Sequence, residues 1–301
     1  MKTLAPVILF VYNRPGHTAD TLNSLLRNPE CAQTDLFIFS DAARNEEGQV
    51  KVAEVRRVIR NIQGFRSLHI TERKENMGLA RSVITGVSEV IEKYGRAIVM
   101  EDDLESGPDF LHFMNEMLDH YQDHPEVYSV SGYGYPIPFL NQYPYSVYFS
   151  HRGSSWSWGT WKDRWNKINW NLHQEDRFIS NRAMQKQFNM AGEDLSIMLI
   201  KQDLEAVDSW AIRFAYNIFR LNGVHALAAR PKIQNIGQDN SGTHSIKTDK
   251  YQVALQAEEA FTYPPDTHVY PEVMEQNRRF FRKSFLQRAY RSLRRALGYP
   301  C

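Results

Sequence analysis

Along the first 125 residues the hydrophobic positions switch repeatedly between a strand-like run and a helical period. Val7-Ile8-Leu9-Phe10-Val11-Tyr12 is a continuous apolar run rich in β-formers, the pattern of a strand covered on both faces. Asn13-Arg14-Pro15-Gly16 punctuates it, and from His17 to Arg27 the apolar Leu22, Leu25 and Leu26 share one helical face. Leu36-Phe37-Ile38-Phe39 predicts a second buried strand ending at Ser40-Asp41. A helix follows over Val50 to Ile62, then a shorter strand over Ser67-Leu68-His69-Ile70. Leu79 to Tyr94 has Ala80, Val83, Ile84, Val87, Val90 and Ile91 at helical spacing. Ala97-Ile98-Val99-Met100 is a fourth strand that runs straight into Glu101-Asp102-Asp103, and Pro108 to Tyr121 is again helical. Strict alternation of this kind predicts an α/β fold with a doubly wound, mostly parallel central sheet and helices on both faces. Such sheets bind ligands beyond the carboxyl ends of their strands. Topology alone therefore brings Arg14, Asp41 and the acidic triplet to one edge.

The pattern is less regular from about residue 126 to 250. Val127 to Gly132 predicts a strand, and a loop rich in Pro and Tyr follows. Five of the six tryptophans then fall between Trp156 and Trp170. Segments 182–187, 192–204 and 208–221 are predicted helical, and Ala226 to Ile233 reads as one strand before the polar loop Gln234 to Ser245. No internal repeat or low-complexity linker interrupts the chain.

Composition changes this picture in one respect. Hydrophobic residues at 42% and charged residues at 24% describe an ordinary globular chain and exclude intrinsic disorder as the main state. The net charge of +1 conceals an asymmetry: Glu275 to Cys301 holds eight basic residues and one acid, so the body is acidic and the tail basic. Phe281, Phe285, Ala289, Leu293 and Leu297 recur every fourth residue within that tail. A basic amphipathic helix over 276–301 is expected, with an anionic membrane surface as its partner. The acidic body argues against nucleic acid. Two cysteines, Cys31 and Cys301, make no disulfide framework and fit a reducing compartment. The Lys and apolar run at the start resemble a signal peptide, but the run is short, is broken by Pro6 and lacks a cleavage site. No run approaches the roughly 20 apolar residues of a spanning helix.

Several residue groups are candidates for chemistry. Three adjacent acids after a buried strand repel one another, and a hard divalent cation, Mn2+ or Mg2+, relieves the repulsion. A solvated acidic turn is the alternative. Asp41 is suited to a base N–H or ribose hydroxyl, or equally to a turn. Arg14 is suited to a phosphate or the face of a base, or to the surface. Asn76 is a candidate helix cap, and Gly78 permits close backbone approach. Arg81 lies in a first helical turn, where a positive charge is unfavourable, which points either to a bound anion or to one of the acids. Trp158, Trp161 and Trp165 fit a buried helical face, whereas Trp156 and Trp158, near Gly153 and Gly159, are the candidates for sugar contact. Asp208 is either a helix cap or a general base. His244, in a Gly-rich polar loop, is a candidate for the metal shell or a phosphate.

Asn13-Arg14-Pro15, Asn76-Met77-Gly78-Leu79 and the run Val99 to Phe110 resemble the GT-A-fold nucleotide-sugar glycosyltransferases. The last run is especially similar to the acidic motif of the N-acetylglucosaminyltransferases of N-glycan processing. The likeness covers most of residues 5–245. It implies a catalytic domain over 1–250, with a nucleotide-binding half (1–125), an acceptor half (126–250) and a C-terminal extension over 251–301. It further implies Asp103 as the metal ligand, Asp102 near the ribose and Glu101 near the donor sugar. Asp41 and Arg14 would hold the nucleotide, and Asp208 would be the base of an inverting displacement. A UDP-sugar is the favoured donor, and the acceptor is a glycan or glycolipid. Val207 and Ser209 depart from the family's Trp-Asp-Asp-Trp pattern, which bears on the acceptor. Lack of a transmembrane stem suits bacterial enzymes of surface polysaccharide synthesis, cytoplasmic and peripheral to the inner face of the membrane. A sugar nucleotidyltransferase and a non-catalytic sugar- or lipid-binding protein are the competing readings. The first wants a better phosphate loop than Asn13-Arg14-Pro15-Gly16, and the second has no need of a metal.

Overall fold

The computed structural model describes residues 3–172, 178–239 and 248–282. The alternating half forms as the pattern predicts: β1 Val7–Val11, α1 Pro15–Leu25, β2 Asp35–Ser40, α2 Glu46–Arg60, β3 Ser67–Glu72, α3 Leu79–Tyr94 and β4 Arg96–Glu101. Next come a short β5, Leu104–Ser106, and α4, Phe110–His120. Local chemistry sets the ends. Pro15 occupies the first turn of α1, where its missing N–H costs nothing. Asn45 caps α2 by accepting from the Gly48 N–H at 3.0 Å, with Glu46 and Glu47 in the first turn and Arg57 and Arg60 in the last, the arrangement that the helix dipole favours. α3 stops at Gly95, whose φ of 76° is the left-handed turn that glycine adopts without strain.

The remaining elements are β6 Val127–Ser131, β7 Val147–Ser150, β8 Trp158–Trp161, α5 Lys162–Trp165, α6 Arg182–Phe188, α7 Leu195–Asp203, α8 Trp210–Arg220, β9 Val224–Ala228, β10 Ile233–Asn235 and α9 Pro271–Phe280. One eight-stranded sheet runs β3-β2-β1-β4-β8-β6-β9-β7. The β1–β2, β2–β3, β1–β4 and β6–β9 pairs are parallel, while β8 and β7 run antiparallel to their neighbours. Alternate residues of β1 feed opposite faces. Val7, Leu9 and Val11 pack with Leu22 and Leu25 of α1, Val55 and Ile59 of α2, and α4. Ile8 and Phe10 pack with Val83, Val87 and Val90 of α3 and with Trp210 and Phe214 of α8. The sheet is therefore doubly wound, and it continues across residue 125 from β4 through β8 to β6.

Three local expectations are corrected. Trp158 and Trp161 lie on a strand, not a helical face, and only Trp165 is helical; β8 is drawn into extended form by pairing with both β4 and β6. The expected strand from Ala226 to Ile233 is two strands. Pro231 cannot donate to a sheet ladder, and β10 leaves the main sheet to form an antiparallel ribbon with β5. The helix expected to begin near 276 starts at Pro271 and ends at Phe280. Phe281 lies edge-on to Tyr135 at 5.0 Å and under the Arg152 guanidinium at 3.3 Å, so it covers the body. The tail beyond residue 282 lies outside the described residues.

Candidate functional site

Strand order 3-2-1-4 places a topological switch between β1 and β4, the point where such sheets open a crevice. A cavity of about 470 Å³ lies there. Tyr12, Asn13 and Arg14 line it from the end of β1, Asp41 and Arg44 from the end of β2, and Glu101, Asp102 and Asp103 from the end of β4. Gly78 and Ser82 at the head of α3, Trp156, Asn235 at the end of β10 and Gln238 after it complete the wall. The stacked rings of Phe10 and Phe39, 5.4 Å apart, form its apolar part.

The acidic triplet is bound to the opposing strand end. Arg14 Nη2 donates to Asp102 Oδ1 at 2.5 Å and to Asp103 Oδ2 at 3.0 Å, and the Tyr12 N–H donates to Asp102 Oδ2 at 3.2 Å. Burial opposes the Arg14 charge, but Asp102 and Asp103 outweigh it and hold the guanidinium above its ordinary value. Burial, then the charges of Asp103 and Asp102, push the Glu101 carboxyl up to about 8, against the pull of Arg14. One arginine thus falls short of neutralising three acids, and the site retains room for further positive charge.

Asp41 has a different surrounding. Its Oδ1 accepts from the N–H groups of Ala42 at 2.9 Å and Met77 at 2.9 Å, and its Oδ2 accepts from Gly78 N–H at 3.0 Å. It braces the head of α3 against β2. Gly78, with φ of 72°, is the N-cap residue there, a backbone conformation that glycine tolerates and other residues rarely do. Asn76 is not the helix cap. Its side chain donates to the Ala42 carbonyl at 2.6 Å and accepts from Arg44 Nε at 3.2 Å, joining the two strand-end loops beside the cavity.

The loop after β10 lies over the triplet. The Ile236 N–H donates to the Asp103 carbonyl at 2.9 Å. A Cβ at Gly237 would meet Asp103 Oδ2 at 2.2 Å, so only a residue without a side chain permits this approach. Two carboxylate oxygens that share one cationic nitrogen, beneath such a cradle, are a donor set that suits a hard cation. Among the described residues no three His, Cys, Asp or Glu side chains converge as a complete ligand set. A cation bound here would draw the rest of its shell from substrate or water.

Not every candidate is brought to the cavity. Trp158 is in the core, 1% exposed and stacked on Trp210 and Trp165, while the neighbouring Trp156 is the tryptophan on the wall. Residues two apart on a strand share a face, but Ser157 between them, with φ of 54°, breaks the extended run just before β8 and parts the two rings. Arg81 is exposed on α3 and does not line the cavity. Asp208 is also outside the lining, with its side chain 65% exposed and 2.7 Å from Arg213. Ser209, not Asp208, caps α8, accepting from the Ile212 N–H. His244 lies outside the described residues. Gln238 belongs to the Gly-rich polar loop that the sequence marked, but sequence reasoning did not single out Arg44 or the β5–β10 ribbon that leads into that loop. The polar residue four places after the β2 end was a usable signal for Arg44, but nothing local marked the ribbon.

Among the described residues no helix is long and apolar enough to cross a membrane. Comparison with protein-family models finds no match, and comparison with curated proteins finds none. Among solved structures, the chain is similar to the mannosyltransferase PcManGT from Pyrobaculum calidifontis in complex with GDP-Man and Mn2+, with a TM-score of 0.39 and 15% identity over 53% of this chain. The chain spans 45% of that structure's length, an overlap too small to weigh in the functional reading.

Proposed function

We propose that the protein is a metal-dependent glycosyltransferase of GT-A type, moving a sugar from a nucleoside diphosphate sugar to an acceptor hydroxyl of a glycan or glycolipid. The observation that carries the reading is the juxtaposition of Glu101-Asp102-Asp103 with Arg14 at the β1–β4 switch, under the Gly237 loop. Asp103 is the residue assigned to hold Mn2+ or Mg2+, which when bound would neutralise the leaving diphosphate. Arg14 supplies positive charge to the same phosphates. Asp41, Arg44 and Asn76 form a polar rim suited to base and ribose. Glu101, also on the cavity wall, is suited to a hydrogen bond with a donor-sugar hydroxyl. Trp156 offers a flat apolar face to a sugar ring.

An inverting displacement needs a base, and Asp208 is the residue offered for it. In that role its carboxylate would exchange Arg213 for the acceptor hydroxyl. Asp208→Asn should abolish transfer without lowering the melting temperature; full activity would remove Asp208 from the mechanism. A UDP-sugar donor, synthesis of surface polysaccharide and a peripheral place on the inner face of the membrane belong to the same proposal. The basic residues after Arg282 support the membrane placement alone.

The direct test is a melting-temperature screen of nucleoside diphosphates and nucleotide sugars, each with and without Mn2+. Expected is a stabilisation that needs metal and nucleotide together, followed by release of nucleoside diphosphate on turnover. Release of pyrophosphate would favour nucleotidyl transfer, and metal-independent sugar binding would favour a lectin-like role.

A further inference from the structure

The position of Arg14 has a consequence for how a cation enters. A single nitrogen, Nη2, bonds both Asp102 Oδ1 and Asp103 Oδ2, so the two oxygens already converge on one point, and that point is cationic. A divalent cation bonding the same Asp103 oxygen at ~2.1 Å would overlap the guanidinium or stand within a few Å of a like charge. The two cations cannot share that oxygen in this arrangement. The ion pairs are strong enough to matter, because the side chains of Arg14, Asp102 and Asp103 are only 17%, 7% and 14% exposed, which limits screening by water.

The local chain separates a fixed backbone from a movable head group. Arg14 is the N-cap residue of α1, held by Pro15 and by its carbonyl, which accepts from both the N–H and the hydroxyl of Thr18 at 2.9 Å. Its guanidinium borders the 470 Å³ cavity and therefore has space into which it can turn.

We propose that Arg14 is an internal counterion that competes with the divalent cation for Asp102 and Asp103, and that its displaced guanidinium then pairs with the donor diphosphate, so that cation and nucleotide bind cooperatively. The inference rests on the metal-and-nucleotide reading of the cavity and deepens it, because Arg14 becomes the residue that enforces joint binding. Linkage makes the effect reciprocal: whatever factor nucleotide adds to cation affinity, cation adds to nucleotide affinity.

The test is calorimetric titration of the full chain with Mn2+ alone, with UDP or GDP alone, and with both. The parent should bind Mn2+ weakly alone and at least tenfold more tightly with a diphosphate present. Arg14→Met should bind Mn2+ alone about tenfold more tightly than the parent and lose most of that cooperative gain. Arg14→Gln, which keeps a hydrogen-bond donor to the acids, should change in the same direction and stands in if Arg14→Met does not fold. Arg14→Lys, a point charge in place of the fork, should lie between. Melting temperatures give an independent readout: Mn2+ alone should raise that of Arg14→Met more than that of the parent. The proposal is overturned if the parent binds Mn2+ with diphosphate while both neutral variants bind Mn2+ alone no more tightly than it does. If no form binds Mn2+ with or without diphosphate, the functional reading falls together with it.

Discussion

Two cationic side chains in this fold sit between pairs of carboxylates, and they serve different ends. Arg14 lies between Asp102 and Asp103 on the wall of a cavity, with Glu101 left over and its carboxyl raised to about 8. Lys232 is fully buried. Its Nζ donates to Asp109 Oδ2 at 2.6 Å and to the Gln256 carbonyl at 2.6 Å, and lies 3.0 Å from Glu258. The Glu258 N–H returns a bond to Asp109 at 3.0 Å, and Ser146 donates to the same glutamate at 2.7 Å. This second cluster ties the segment after residue 248 to the head of α4 and to the start of β7. A buried ion pair is thus no mark of chemistry by itself. Arg230, 3.4 Å from Glu258, balances the charge around Lys232, so what distinguishes the Arg14 cluster is surplus negative charge together with open space.

Mutations can break or sharpen that contrast. The largest effect is expected for Asp103→Ala, which removes the assigned cation ligand and should lower transfer about a thousandfold, ~4 kcal/mol of barrier, with little change in melting. Activity within tenfold of the parent would place the cation elsewhere. Lys232→Ala should show the opposite profile. Leaving Asp109 buried without its counterion, and Glu258 with only Arg230 at 3.4 Å, should cost about 3–5 kcal/mol of stability in denaturant unfolding, with turnover per folded molecule retained. An unchanged unfolding midpoint would mean that the Lys232 cluster is not a strut.

Gly237→Ala is expected to have a smaller and local effect. Its Cβ would fall 2.2 Å from Asp103 Oδ2, so the loop or the carboxylate must shift, and the Mn2+ concentration for half-maximal activity should rise roughly tenfold, ~1.4 kcal/mol. No change would show that the loop yields freely. The smallest effect concerns a buried group in neither cluster. His225 accepts or donates at Nδ1 with Ser129 Oγ at 2.8 Å, and burial, with His151 nearby, lowers it to about 3. Between that value and the ordinary histidine range the unfolded chain binds the extra proton. Stability should therefore fall as pH drops through this window, by at most ~1.4 kcal/mol per pH unit. His225→Gln should flatten the slope there in pH-dependent unfolding, and an unaltered slope would assign it to other groups.

The regularity of the first 125 residues made half of the molecule legible. Each β-rich run and helical stripe from Val7 to Tyr121 reports its own environment, because burial on two faces or one is written in the period of the side chains. The strand ends carrying Arg14, Asp41 and Glu101-Asp102-Asp103 followed from that alternation, and so did their meeting at one edge. The second half was less legible. Tryptophans at 158, 161 and 165 fit a helical stripe by spacing, and only pairing with β4 and β6 makes the first two a strand. The left-handed Ser157 between Trp156 and Trp158 is what leaves the first on the cavity wall and the second in the core.

What the sequence by itself determined was the winding of the sheet and the chemical character of its loaded edge, since both follow from local periodicity and the order of elements. The tertiary structure alone decided that one nitrogen of Arg14 holds two of the acids, that Asp41 braces α3, and that the loop after the β5–β10 ribbon lays Gly237 against Asp103. These are contacts between residues 36 to more than 100 positions apart, set by the packing of whole elements, and no local pattern in the chain encodes them.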